Sequence, residues 1–221
     1  MSEIMDHLTA MHRELHDRTM PVGEGKAVVM RRQFDATIED VWDALTDADR
    51  LKRWFLPVSG DFRLGGHYQI EGNAGGKVLV CESPHLLKVT WNYGFDPDTE
   101  GVSEVEVRLS EGQGGTTTFE LVHAAVTPPE MWDQFGPGAV GVGWDQMLLG
   151  LGLHMAGNEF EGDIETWHET DEGREFIGAS SRAWRVAHEA NGASAAEAAA
   201  AAEQTFAFYA PEPGAGDEPA G

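Results

Sequence analysis

Residues 136–157 read GPGAVGVGWDQMLLGLGLHMAG, a glycine-rich lead-in followed by the longest apolar run in the chain. Val140, Trp144, Met147, Leu148, Leu151 and Met155 recur there at steps of three and four, the spacing that puts side chains on one face of a helix. That face needs a cover. Several upstream segments carry apolar residues at every second position, as strands with one buried face do. A helix laid across a curved antiparallel sheet satisfies both patterns, and the space between the two is either packed core or a pocket.

Working outward, Leu87, Val89, Trp91 and Tyr93 alternate with Lys88, Thr90 and Asn92. Val105, Val107 and Leu109 alternate with Glu104, Glu106 and Arg108, and Phe119, Leu121 and His123 with Thr118, Glu120 and Val122. Short strands joined by glycine-rich turns predict an antiparallel meander rather than parallel βαβ units. Ahead of them, Lys26 to Phe34 reads as a valine-rich first strand. Thr37 caps a helix in which Asp40 completes a capping-box-like pair, and a second helix covers Ala48 to Trp54. Ile4, Leu8, Met11 and Leu15 predict an amphipathic helix over residues 3–18. Beyond Gly157 a helix is expected over 172–190, and Ser194 with Glu197 forms a capping box before an alanine-rich helix ending near Tyr209. PEPGAGDEPAG, residues 211–221, holds no core-forming residue and reads as a disordered tail.

The organisation expected is therefore an N-terminal helix and linker over 1–25, a core domain over 26–157, a helical extension over 158–210 and the tail. At 221 residues the chain can bury one substantial core. Fifteen lysines and arginines face 38 aspartates and glutamates, a formal charge of −23. Such a surface repels phosphate backbones and anionic lipid, so neither nucleic acid nor membrane is expected as a partner. The single cysteine, Cys81, allows no disulfide framework and no cysteine cluster for zinc, and it reads as a small buried hydrophobe. MSEIMDHLTAMHREL has neither the basic start nor the continuous apolar core of a secretory signal, and no apolar run reaches the roughly 20 residues that span a bilayer. A cytoplasmic location is the expectation.

Two motifs have to be tested against their context. Gly136, Gly138 and Gly141 match GxGxxG, with Glu161 downstream, but no buried parallel strand precedes them and no βαβ unit surrounds them. They read instead as glycines that allow close approach at the start of the long helix. His12 and His16, four apart, could clamp a metal on one helix face, but no third ligand is indicated. No cofactor is implied.

The order strand, two helices, antiparallel strands and long helix is that of the Bet v 1/START-like helix-grip fold, class α+β. RQFDATIEDVWDALTDADRLKRWF at 32–55, GGHYQI at 65–70, LLKVTW at 86–91, LVHAAV at 121–126 and Gly143-Trp144 resemble the AHSA1-like branch of the SRPBCC superfamily. That branch is named for its similarity to the C-terminal domain of the activator of the Hsp90 ATPase. The resemblance covers about Lys26 to Gly157. It implies a curved antiparallel sheet wrapped round the long helix, with a cavity between them that often takes an apolar small molecule. The chain departs from the eukaryotic co-chaperone in having only about 25 residues before the first strand and roughly 60 after the grip helix.

A pocket in this fold would be lined from the sheet and its approaches by Trp54, Phe55, Trp91, Tyr93, Phe119, Leu121 and His123, and from the helix by Trp144, Met147, Leu148 and Leu151. Large aromatics and flexible methionine suit an apolar ligand of irregular shape. The same residues would also make an ordinary core. His123 falls on the inward register of its strand and is the weak candidate for a catalytic acid/base; the alternative is a buried histidine bonded to a backbone carbonyl or a tryptophan. Three functions stay open. The first is binding of a hydrophobic or aromatic small molecule; the second is a polyketide cyclase- or dehydratase-like enzyme using the pocket histidine. The third is a protein-interaction module, co-chaperone-like or sequestering. The extension would pack on the domain or on a homodimer partner.

Overall fold

The computed structural model describes residues 3–93, 102–163 and 166–212. Its strands are β1 (His12–Met20), β2 (Gly23–Phe34), β3 (Val58–Gly60), β4 (His67–Ile70), β5 (Gly75–Glu82), β6 (Leu86–Thr90), β7 (Ser103–Glu111) and β8 (Thr117–Ala125). The helices are α1 (Glu3–Thr9), α2 (Ile38–Thr46), α3 (Ala48–Trp54), α4 (Pro129–Phe135), α5 (Gly138–Met155), α6 (Asp171–Ala190) and α7 (Ala195–Tyr209). The strands form one antiparallel sheet in the order β1-β2-β8-β7-β6-β5-β4-β3. Strands β3 to β8 are thus the expected meander, and β2 closes against β8 with Val28 opposite His123 and Met30 opposite Leu121. The α+β helix-grip architecture follows, with α5 lying across the inner face.

The N-terminal segment departs from the expectation of one helix over 3–18. Helix α1 ends at Thr9, and residues 12–20 run as an edge strand paired along its length with β2, Leu15 opposite Val28. Met11 and Leu15 are four apart, a spacing that suits a helix face and equally one face of a strand. The residue that hides the alternation is Arg13. It sits on the same inward face, almost fully buried, because its guanidinium pairs with the carboxylate of Asp145. His12 and His16 accordingly flank Glu14 on a strand, each Nε2 bonded at 2.9 Å to one of its carboxylate oxygens.

Thr37 caps α2 as expected, accepting from the Asp40 N–H at 3.3 Å. The Asp40 carboxylate turns to Arg50 at 2.7 Å rather than back to the cap. Ser194 and Glu197 make the full reciprocal box at the start of α7. The tail expected over 211–221 lies outside the described residues from 213 onward.

Helix α5 is apolar on more than the one stripe read from the sequence, as a helix enclosed on several sides must be. Trp144 and Leu148 face the sheet. A second row, Gly138, Gly141, Asp145, Leu149 and Gly152, again at steps of three and four, is buried as well. At Gly141 a Cβ would lie 2.1 Å from the Trp184 ring of α6, and at Gly138 it would lie 2.5 Å from the Thr205 hydroxyl of α7. Glycine at these places lets the extension close on the grip helix, which accounts for the GxGxxG pattern by packing. Asp145 joins the layers: it accepts from Arg13 of β1 and from the Trp184 indole of α6 at 3.0 Å.

Candidate functional site

A cavity of about 810 Å3 opens beneath α5, between it, the end of α3, the ends of β6 and β8, and the two helices that flank its start. Five of the residues picked out in the sequence form its inner wall: Trp54, Phe55, Trp91, Trp144 and Met147. Each is fixed by a local device. Trp54 ends α3, donates its indole N–H to the Ala44 carbonyl at 2.9 Å and lies 5.5 Å from the Phe55 ring. Gly150 permits this placement, because a Cβ there would meet the Trp54 carbonyl oxygen at 2.3 Å. Trp91 follows the last residue of β6 and is held in register by its own N–H donating to the Ser103 carbonyl. Its ring lies 5.0 Å from that of Trp144.

His123 also reaches this wall, and both of its nitrogens are engaged. The Trp144 indole N–H donates to Nδ1 at 2.9 Å, and Nε2 lies 2.8 Å from the Ser103 hydroxyl. An indole N–H can only donate, so Nδ1 is bare and the neutral ring carries its proton on Nε2. Full burial pushes the His123 pKa down to about 4, because the cation would lose its hydration without a compensating charge. The imidazole is therefore a neutral, fully bonded member of the wall near neutral pH. Such a ring can orient Trp144 and shape the floor; it is not poised to exchange a proton.

The remaining expected residues are dispersed. Tyr93 is 70% exposed and stands at the mouth of the cavity, just beyond the end of β6 rather than on an inward register. Phe119, Leu121 and Leu148 are buried and do not line this cavity; they bound a separate chamber of about 100 Å3 deeper in the core. Leu151 is completely buried and touches neither space, so its part is core packing.

Of the wall residues that were not anticipated, four large apolar or aromatic ones come from the helices flanking the start of α5. Met131 and Phe135 come from α4, and Phe208 and Tyr209 from the end of α7. Tyr209 donates its hydroxyl to the Ala139 carbonyl at 2.6 Å, and burial raises its pKa to about 12. The extension thus supplies part of the cavity wall. The available signal was TFAFY at 205–209, where aromatics gather at the end of an otherwise alanine-rich helix. Polar side chains also line the cavity: Arg53, Asn73, Gln146, His154, Asn158 and Glu159. His154 lies 3.3 Å from Arg50, and burial together with the neighbouring Arg50 and Arg53 lowers its pKa.

Among the described residues no group of three or more histidine, cysteine, aspartate or glutamate side chains is placed to hold a metal ion, and no helix is long and apolar enough to cross a membrane.

The sequence model described as "Activator of Hsp90 ATPase homolog 1-like protein" matches residues 35–155. No curated protein matches the chain. Among solved structures, the chain is similar to CalU16 from Micromonospora echinospora. Its crystal structure is 35% identical over 81% of this chain and 99% of that chain, with a TM-score of 0.65. The solution structure of the same protein is 34% identical over 82% and 97%, with a TM-score of 0.67. That likeness spans more than the family region, so it takes in part of the residues outside 35–155. EF2215 from Enterococcus faecalis, 15% identical over 83% of this chain and 93% of that one, shares the fold with a TM-score of 0.55. The motifs at 32–55, 65–70, 86–91 and 121–126, the helix-grip sheet and the match over 35–155 agree: this chain belongs to the activator of Hsp90 ATPase homolog 1-like family.

Proposed function

We propose that the protein binds an apolar, aromatic small molecule in the cavity beneath α5. The observation that carries this reading is the 810 Å3 space walled by Trp54, Phe55, Trp91, Trp144 and Met147. It has the size of ligand pockets, roughly 300–1,000 Å3, and their usual make-up of aromatic walls with a few polar groups. Burial of apolar surface at about 25 cal/mol per Å2 drives binding, and the lining residues Arg53, Gln146 and Asn158 orient the ligand.

Surface exposure favours this reading over an interaction module. Among the described residues six large apolar side chains are exposed, and three of them, Tyr93, Met131 and Phe208, belong to the cavity itself. They make an apolar portal rather than a separate docking patch. Acid/base catalysis by His123 is disfavoured because Trp144 and Ser103 occupy both ring nitrogens.

The test is titration with N-phenyl-1-naphthylamine, an uncharged fluorescent probe of apolar sites. Saturable binding at one site, weakened at least tenfold by the cavity-filling Met147→Trp, is the expected result. Absence of saturable binding, with no small molecule retained in native mass spectra of gently purified protein, overturns the reading.

A further inference from the structure

The chamber of about 100 Å3 behind the cavity wall is built unlike the cavity in front of it. Eighteen residues bound it and none is charged; Val89, Val105, Val107 and Leu121 of the sheet face Leu148 of α5 across it. The one hydroxyl among them, that of Tyr68, is already donated to the Thr90 carbonyl at 2.7 Å. Trp91, also in the lining, has a buried indole N–H without a partner, and this single spare donor is fewer than the two to four polar partners a buried water needs, so apolar atoms suit the chamber better than water. Its volume is on the order of three water molecules at ~30 Å3 each. Wall atoms facing an unfilled apolar space lack dispersion partners, and filling it with apolar atoms supplies them.

The chamber and the main cavity share a wall. Trp54, Phe55, Trp91, Trp144 and Met147 face both spaces. Four of these are flat rings held by packing or hydrogen bonds. The fifth, Met147, is an unbranched, half-buried thioether chain with three rotatable bonds, the wall element that can swing aside at least cost.

We propose that this inner chamber is a subsite for an apolar arm of the ligand, admitted past Met147. The bound molecule is then an aromatic body carrying an alkyl arm of about four carbons. This rests on the main cavity being a ligand site, as argued above.

The test uses 4-alkylphenols, from methyl to octyl, displacing N-phenyl-1-naphthylamine from the full chain. Affinity should rise about fourfold per methylene, the equivalent of ~0.8 kcal/mol per buried CH2, and level off near butyl. Val107 bounds the inner chamber and not the main cavity. Val107→Phe should therefore reduce 4-butylphenol affinity at least tenfold and leave 4-methylphenol unchanged. Should that variant fail to fold, the wild-type protein gives the same answer through nuclear Overhauser contacts between the terminal methyl of bound 4-butylphenol and the methyls of Val107 and Leu121. Equal losses for both phenols in the variant, or absence of those contacts in the wild type, overturns the inner subsite while leaving the main cavity as a ligand site. Failure of every phenol and of the fluorescent probe to bind overturns the ligand reading itself.

Discussion

The Trp144 indole N–H donates to Nδ1 of His123 at 2.9 Å, across the gap between the grip helix and the sheet. This bond fixes the histidine tautomer and sets the Trp144 ring against Trp91, so one contact orders three walls of the cavity. The tautomer is directly observable: the 15N shifts of His123 should show a bare Nδ1 and a protonated Nε2. Trp144→Phe removes the donor and strands a buried acceptor, at a cost of about 1–3 kcal/mol in urea denaturation. It should also weaken probe binding, because the rings it aligned are released.

Burial of His123 gives the protein a specific acid sensitivity. Its folded pKa of about 4 lies below the ordinary 6.5, so the unfolded chain takes up the proton first as pH falls. The stability held by the neutral ring is fully present above pH 6.5 and is lost as pH falls towards 4, amounting to roughly 3 kcal/mol over that window. His7, His154 and His188 are also lowered by burial and add in the same direction. His123→Gln keeps an acceptor for Trp144 and a donor for Ser103 but does not titrate. Comparing urea midpoints of the two proteins at pH 7 and pH 5 isolates the His123 share, and a variant with an unchanged pH slope contradicts the assignment.

The sheet and the grip helix were legible because their burial patterns are uninterrupted. Val105, Val107 and Leu109, or Phe119 and Leu121, announce a strand with one inner face, and the steps from Val140 to Met155 announce the helix. The N-terminal strand was not legible, since Arg13 occupies a core position only because Asp145, 132 residues away, neutralises it. No local rule exposes such a pair. The site divides in the same way. Trp54, Trp91 and Trp144 follow from register, whereas Met131, Phe135, Phe208 and Tyr209 reach the cavity only through the docking of α4 and α7. Phe119 and Leu121 show the converse limit: alternation says that a side chain points inward, not which void it meets.

The Arg13–Asp145 pair makes its own prediction. Both side chains are almost wholly buried, and Asp145 also accepts from Ser180 and Trp184 of α6. Asp145→Leu leaves a buried guanidinium without a counter-charge and should cost about 3–5 kcal/mol. Adding Arg13→Met should recover a large part of that loss, because a well-packed apolar pair competes with a buried ion pair once neither charge is stranded. Recovery remains incomplete, since Ser180 and Trp184 lose their acceptor. Additive losses in the double variant would show that the two residues are not energetically coupled.

The same substitution at two glycines should act with opposite sign. Gly141 lies in the interior of α5, where alanine is intrinsically the better helix former by roughly 1 kcal/mol. Its added methyl, however, would stand 2.1 Å from the ring of Trp184, which is 1% exposed and has nowhere to go. Overpacking of this kind costs about 1–3 kcal/mol, so Gly141→Ala should destabilise and should loosen α6 first, seen as faster hydrogen exchange in residues 171–190. Gly178, in the interior of α6, meets only the end of the Arg182 side chain at 3.3 Å and the Phe206 ring at 3.5 Å. There the methyl fits after a small movement of a flexible chain, and Gly178→Ala should be neutral or stabilising by up to ~1 kcal/mol in thermal melts. If Gly141→Ala melts no lower than the wild type, the close seat of α6 on the grip helix is wrong.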